Sequence, residues 1–401
     1  MKNNHTPEIR FPGFTGDWEE RKLSELMEFS NGINAPKESY GKGRKMISVM
    51  DILADEPIVY ENIRNSVQVD DKAESKNKVE NGDLVFVRSS EIRDEVGWAK
   101  AYRQKEYALY SGFSIRGKKK SDFDAKFIEL SLNNSNRGQI ERQAGGSTRF
   151  NVSQSILKSI GILEPSIEEQ IEIGNFFKKI DETIALHQQE LPILKQTKQG
   201  FLQKMFPKEG ESVPEVRFPG FTGDWEERKM GEVATFINGR AYKQNELLNS
   251  GKYKVLRVGN FYTNNSWYYS DLELGEKYYA EKGDLLYTWS ATFGPHIWYG
   301  DKVIYHYHIW KVDLSDNLDK QFTIQLLEYD KAKILSDKNG STMVHITKKG
   351  MEEKKVLLPS IEEQIKIGNF FKKLDDTIAL HQRELDALKE TKKAFLQKMF
   401  V

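Results

Sequence analysis

The chain has 401 residues, with 60 lysines and arginines against 60 aspartates and glutamates, and no cysteine. That length supports two or three domains with real cores, and the missing cysteines exclude a disulfide framework and a thiolate metal site, which fits a reducing cytoplasm as the location. Balanced charge removes net basicity as an argument for nucleic acid but leaves room for a basic groove offset elsewhere. No apolar run reaches the about 18 residues a membrane span needs, and MKNNHTPEIR lacks the apolar stretch of a signal peptide.

The first element is a leader, residues 7–25, reading PEIRFPGFTGDWEERKLSE; it recurs at 214–232 as PEVRFPGFTGDWEERKMGE. FPGFTG approaches the F-x-G-x-G of a methyl-donor loop inexactly, and no apolar strand precedes it. It reads as a turn, with Phe11, Phe14 and Trp18 packing on a neighbour.

A variable segment follows, residues 27–162. MISVM, PIVYENI, GDLVFVR, GWAKAYR and YALYSGFSIRG read as strands, being β-branched and aromatic between Gly, Asn and Asp. KFIELSLNNSNRGQIERQ reads as a helical stretch.

Residues 163–206, LEPSIEEQIEIGNFFKKIDETIALHQQELPILKQTKQGFLQKMF, begin with a capping box, Ser166 and Glu169. Apolar residues then recur at alternating steps of four and three: Ile173, Phe177, Ile180, Ile184, His187, Leu191, Leu194, Lys198, Phe201 and Met205. This is a heptad seam sustained for more than four repeats, which predicts a coiled-coil helix about 50 Å long. Pro192, at a cost of about 3 kcal/mol, predicts a kink or a split, and Gly200 weakens the helix by about another 1 kcal/mol.

FPKEGESVP is a polar linker, and residues 207–232 carry it and the second leader. The second variable segment, residues 233–356, has strand-like KYKVLRVGNFY, SWYYSD, GDLLYTWSA, VIYHYHIWKVD and KKVLL, with QFTIQLLEYDKAKILSD as its helix. His306 and His308 then alternate along a strand and read as strand packing rather than a metal pair. Tyr262, Trp267, Tyr268 and Tyr269 read as sheet core before a stacking platform.

Residues 357–401 repeat the long helix, with a capping box at Ser360 and Glu363. About three-quarters of the aligned positions are identical. Its seam is Ile367, Phe371, Leu374, Ile378, His381, Leu385, Leu388, Lys392, Phe395 and Met399. The matching seams make each helix the other's natural partner, with the partly polar His and Lys layers fixing register.

The whole chain is thus a tandem duplication, with residues 1–26 and 207–232 carrying the leaders. The fold class is α+β: a mixed α/β recognition domain followed by a long helix, given twice, the helices pairing as an antiparallel coiled coil with pseudo-two-fold symmetry. Since the second leader follows the first helix, duplication predicts that residues 7–25 dock near 395–401. The variable segments share markers, Asn31-Gly32 with Asn238-Gly239, Gly82-Asp83-Leu84 with Gly283-Asp284-Leu285, and Gly146-Ser147-Thr148 with Gly340-Ser341-Thr342, and little else. Diverged inserts on identical frames imply recognition of two different things at a set distance.

There is no phosphate loop, N-P-P-[FY], H-E-x-x-H, Cys/His cluster or G-x-S-x-G, which favours a binding protein and no catalytic or metal site. Candidates for base and phosphate contact are Arg88, Arg93, Arg103, Arg142, Arg149 and Asn151 in the first segment, with Lys118, Lys119 and Lys120 for phosphates. In the second they are Arg240, Lys243, Arg257, Asn260, Thr288, Ser290 and His345. Arginine pairs bidentately with guanine and asparagine with adenine, while lysine positions on phosphate. Each also reads as a solvated surface group.

The order of leader, variable domain and long helix, twice over, resembles the specificity subunit of type I restriction–modification systems. P-S-I-E-E-Q, the G-[GS]-[ST] loop before it, the ending F-L-Q-K-M-F, and GDWEERKL followed by N-G carry the likeness across essentially the whole chain. The resemblance implies a non-catalytic subunit without a cofactor of its own. Each variable segment would read half of a bipartite site in double-stranded DNA, and the helices would fix the spacer. Two methyltransferase subunits would methylate adenine with S-adenosylmethionine, and two motor-nuclease subunits would use ATP and Mg. Other readings are a protein-binding coiled-coil scaffold, a fragment of a fused restriction–methylation enzyme, which the missing methyl-donor motifs oppose, and a transcription regulator, which would show a helix-turn-helix.

Overall fold

The computed structural model describes residues 5–262, 264–290, 292–336 and 346–401; the second glycine-serine-threonine marker and His345 lie outside them. The chain divides into two compact units, residues 1–189 with 382–401, and residues 190–381. Each unit therefore combines a leader, a variable segment, the first half of one long helix and the second half of the other.

Both variable segments build the same antiparallel four-stranded sheet. In the first unit the order is Met27–Asn31, Ser114–Lys119, Leu84–Val87, Ala99–Ala101; in the second it is Ala234–Asn238, Ile309–Leu314, Leu285–Thr288, Gly294–Ile297. Each unit has a second sheet, three-stranded in the first with Tyr40–Ile47 parallel to Leu109–Tyr110, and four-stranded in the second with Tyr253–Leu256 parallel to Val303–Tyr305. The leader strand Glu19–Lys22 pairs with Gly161–Glu164, and Glu226–Lys229 with Lys355–Leu358.

Several segments differ from their sequence reading. MISVM ends one strand and starts the helix Val49–Leu53, because the Asp51 carboxylate accepts from the Ser48 amide at 2.8 Å and from its hydroxyl at 2.6 Å and so closes the first turn. PIVYENI forms a short 3-10 turn, Tyr60–Asn62, burying Ile58 and Ile63. The 126–143 stretch is two helices, Ala125–Asn133 and Arg137–Gln143, split where the Asn134 amide folds back on the Leu130 carbonyl. In KYKVLRVGNFY only Tyr253–Leu256 is strand; Val258–Phe261 is 3-10.

The long helices are Ile167–Lys204 and Ile361–Lys398, 38 residues each, about 57 Å at about 1.5 Å per residue. The first runs unbroken through Pro192, so it is not split there. A proline removes one ladder bond, and Leu191 and Leu194 beside it remain packed. Every predicted seam residue is buried or half-buried. Within each unit the helix halves are antiparallel. Phe176 meets Phe395 at 5.0 Å and Asp181 meets Lys392 at 2.7 Å in the first. Phe370 meets Phe201 at 5.1 Å and Asp375 meets Lys198 at 2.6 Å in the second. The seam histidines lie beside carboxylates, His187 by Glu384 and His381 by Glu190.

The first leader docks as duplication predicts. The Ile9 amide donates to the Lys398 carbonyl at 2.9 Å, as the Val216 amide does to Lys204 in the second unit. Trp18 packs edge-on against Phe127 and Phe400, and Trp225 against Phe206 and Phe322.

The capping boxes are only half formed. Ser166 and Ser360 accept from the amides of Glu169 and Glu363. The glutamate carboxylates instead take the leader arginines bidentately: Arg10 on Glu169 at 2.6 Å, Arg217 on Glu363 at 2.7 Å. The same arginines hold the FPGFTG turns through Gly16 and Gly223. The next residue, Gln170 or Gln364, accepts from the amide of Asp124 or Asp319, which caps the helix of the variable segment. P-S-I-E-E-Q is thus the joint where leader, recognition domain and long helix meet. A Cβ at Gly174 would stand 2.3 Å from the Asp124 carboxylate oxygen, so a side chain there would displace that cap.

Candidate nucleic-acid interface

The two units differ in the groups they carry at one end of each four-stranded sheet, the end marked by Val87 and Thr288. There the sequence returns through three-residue turns, Ser111-Gly112-Phe113 and His306-Tyr307-His308. The turns form because Gly32 and Gly239 let the preceding strand pass close beneath; a Cβ would stand 2.2 Å from the Ser111 carbonyl oxygen and 2.4 Å from that of His306. This is the physical content of the two N-G markers. It also places His306 and His308 on a turn, correcting their assignment to a strand. Their rings are 4.8 Å apart.

In the first unit this end gathers four of the predicted residues. Ser89–Ser90 pairs with Phe150–Asn151 and brings the glycine-rich loop alongside. Arg149 stands over the Phe113 ring at 5.7 Å and 3.7 Å from Glu91. Arg93 donates to the Glu141 carbonyl at 2.9 Å, and Arg88 to the Gly112 carbonyl at 3.2 Å. Asn151 is exposed, as is Phe113. Arg142 is exposed on the neighbouring helix Arg137–Gln143. The others do not join. Arg103, Lys118 and Lys119 stand at the Leu84 end of the sheet, since Gly117 and Ala101 both pair with Leu84. Lys118 faces Glu80, Lys119 donates to Phe123, and Lys120 donates to Ser24.

The second unit presents aromatic and imidazole groups instead. Arg240 is clamped by Glu246 at 2.7 and 3.1 Å, and Arg257 lies over Tyr268 at 4.3 Å. The Asn260 amide is spent on the Asn264 and Ser266 carbonyls, bracing its own loop. Thr288 is buried, its hydroxyl 3.4 Å from that of Tyr262 and 3.3 Å from the His296 ring. Neither Asn260 nor Thr288 has the free, exposed group assigned to it. Lys243 is exposed and Ser290 half-buried. The exposed groups here are Tyr262 and Tyr307, with Trp289 half-buried between His308 and Trp310. Sequence reasoning missed Phe113, Trp289 and Tyr307; the signal for Phe113 and Tyr307 was a turn directly before the strand that pairs with N-G, while Trp289 follows the strand Leu285–Thr288.

Burial sets the protonation of these imidazoles. His296 stacks on Phe261 at 4.1 Å and its pKa falls from 6.5 to about 4, through burial and then the charge of Lys331. His306 falls to about 4 through burial, then His308 and Arg257, and burial also lowers His308. Between pH 6.5 and about 4 the unfolded chain therefore binds protons that the folded unit does not. Stability is full above this window and lost as pH falls through it. The melting temperature should drop on acidification from pH 6.5 to 4.5, and His296→Gln should flatten that drop. An unchanged slope would mean that His296 titrates normally.

The geometry defines a class of protein, a duplicated scaffold that carries two differing surfaces on equivalent frames. A model of the type I restriction modification DNA specificity domain matches residues 15–196 and 222–390, and the chain belongs to this family. It is 24% identical over 399 residues to a protein of Methanocaldococcus jannaschii named as the specificity subunit of the type I restriction enzyme MjaX, covering 95% of this chain and 92% of that one. It is 24% identical over 277 residues to the MjaVIII specificity subunit of the same organism, covering 64% and 65% of the two. Among solved structures it is similar in fold to the S subunit of a type I restriction–modification system from M. genitalium, with a TM-score of 0.63, 17% identity and 99% of both chains covered. No helix among the described residues is long and apolar enough to cross a membrane.

Proposed function

We propose that this chain is the DNA specificity subunit of a type I restriction–modification complex. Each unit reads one half of a bipartite, asymmetric site in duplex DNA through the sheet end described above. The long helices set the unspecified spacer, half-sites one turn apart on one DNA face being about 34 Å from each other. The chain itself performs no chemistry. Two methyltransferase subunits, docked on the duplicated frame, methylate adenine in each half with S-adenosylmethionine, and two ATP- and Mg-dependent motor-nuclease subunits join for cleavage.

The observation that carries this reading is the contrast between frame and surface. The leader arginine staple, the aspartate–lysine pair of the helices and the tryptophan anchor recur bond for bond in the two units. The sheet ends carry arginines in one and aromatic and imidazole groups in the other. A scaffold serving identical partners twice has no reason to keep its frame and change its variable segments.

The test is a genome-wide map of methylated adenines with and without the gene. A bipartite motif with a fixed gap should lose its methylation on deletion. An unchanged map in cells that make the methyltransferase would overturn the proposal and favour a protein-binding scaffold.

A further inference from the structure

The two turns at the sheet ends share more than their place. The amides of Ser111 and His306 donate to Ile47 and Leu256, both at 2.9 Å, and those of Gly112 and Tyr307 donate to Ile33 and Arg240, at 2.8 and 3.0 Å. The turns close with Ser114 donating to Ser111 and Ile309 to His306, again both at 2.9 Å. The Phe113 and His308 carbonyls accept from the amides of Arg88 and Trp289, at 2.8 and 3.2 Å.

One side-chain bond also recurs with changed chemistry. The carbonyl of the middle residue is held by the Arg88 guanidinium at 3.2 Å in the first unit and by the Trp289 indole N–H at 2.9 Å in the second. Two unlike side chains do the same bracing. Their role is to hold the turn, which removes Arg88 from the groups free to meet a base.

With backbone and brace held constant, the turn tips are free to differ, and they do. The first presents Gly112 and the exposed Phe113 ring under the Arg149 guanidinium. The second presents the exposed phenol of Tyr307 with the His308 ring 3.9 Å from it. A braced turn with variable, exposed chemistry at its tip is what base readout requires: fixed geometry with a changeable donor, acceptor or apolar face.

We propose that these turns are the specificity-determining elements of the two recognition domains, and that they read by different chemistries. Phe113 and Arg149 meet the first half-site through an apolar ring and a guanidinium, suited to a thymine methyl and a guanine edge. Tyr307 and His308 meet the second through a phenol and an imidazole, groups suited to hydrogen bonds with base edges. Arg88 and Trp289 are positioning residues. This rests on the functional proposal above.

The test uses a deletion strain complemented with the full-length gene carrying Phe113→Leu, Arg149→Ala, Tyr307→Phe or His308→Ala, with methylated adenines mapped in each. The unaltered gene must first restore a bipartite motif; if it does not, the functional proposal fails rather than this one. Changes at 113 or 149 should relax one or two base positions in one half-site, and changes at 307 or 308 in the other, with the spacer unchanged. Relaxation at a position should be about 5-fold or more, as loss of a good base contact of about 1–3 kcal/mol implies. The intact motif in all four variants, or loss of methylation without relaxation at any position, overturns the assignment. Tyr307→Phe and Phe113→Leu keep the bulk of the side chain, so a folding defect cannot account for a shifted motif.

Discussion

Replacing Arg10 with alanine is expected to cost the first unit about 3–5 kcal/mol of stability, the range for breaking one partner of a buried ion pair. The Glu169 side chain is fully buried and the Arg10 side chain 14% exposed. The fork takes both carboxylate oxygens at 2.6 Å. Alanine would strand the carboxylate in a joint built around the guanidinium. It would also release the turn held through the Gly16 carbonyl. Arg10→Lys should recover little, because an ammonium cannot supply two parallel donors. Arg10→Met with Glu169→Leu should recover most of the loss, since removing both charges also removes their desolvation cost. Denaturant unfolding followed by tryptophan fluorescence reads the effect. A loss below about 1 kcal/mol for Arg10→Ala, the value of an exposed pair, would show the joint to be open to water. Arg217→Ala should act alike in the second unit, where Glu363 is equally enclosed.

Trp18→Ala should cost about 3–5 kcal/mol, as large-to-small changes of buried aromatic residues do. Trp18 is buried among Phe127 of the recognition domain and Phe400 at the end of the second long helix, with ring centroids 5.5 and 6.3 Å away. The residue joins three segments far apart in sequence. Its loss should therefore free the leader as well as lower stability. Hydrogen exchange at the Ile9 amide, which donates to Lys398, reports the docking directly. Protection at Ile9 that survives Trp18→Ala would show that backbone pairing alone holds the leader. Trp18→Phe, which keeps an apolar ring, should retain most of both signals.

These two residues also mark how far the sequence could be read. Arg10 and Trp18 lie in a leader whose repetition announced a shared structural role, and the docking near 395–401 followed from the order of the repeats. The pairing of Arg10 with Glu169 did not follow. Glu169 sits where a capping box expects it, and the local rule assigns its carboxylate to the helix's own first turn. The leader guanidinium wins because a charge-assisted, bidentate contact is stronger than a reach back to one amide.

The site divides in the same way. Arg93, Arg149 and Asn151 were chosen for their chemistry, and the fold brings them to one sheet end. Arg103, Lys118 and Lys119 were chosen on the same grounds and stand at the other end. Arg240, Asn260 and Thr288 are occupied by neighbours close in sequence or across a strand. Side-chain type gives capacity, and only placement decides whether that capacity is already used.

The sequence by itself determined the duplication, the seams of the long helices, the docking of the leaders and the family, because each is a periodic or repeated pattern legible along the chain. Tertiary structure alone decided that the helix passes through Pro192, that His306 and His308 turn rather than extend, and that Arg88 and Trp289 brace equivalent turns. These depend on contacts between residues distant in the chain, where packing on both sides outweighs one lost ladder bond and the close passage of Gly32 and Gly239 fixes the path of the backbone.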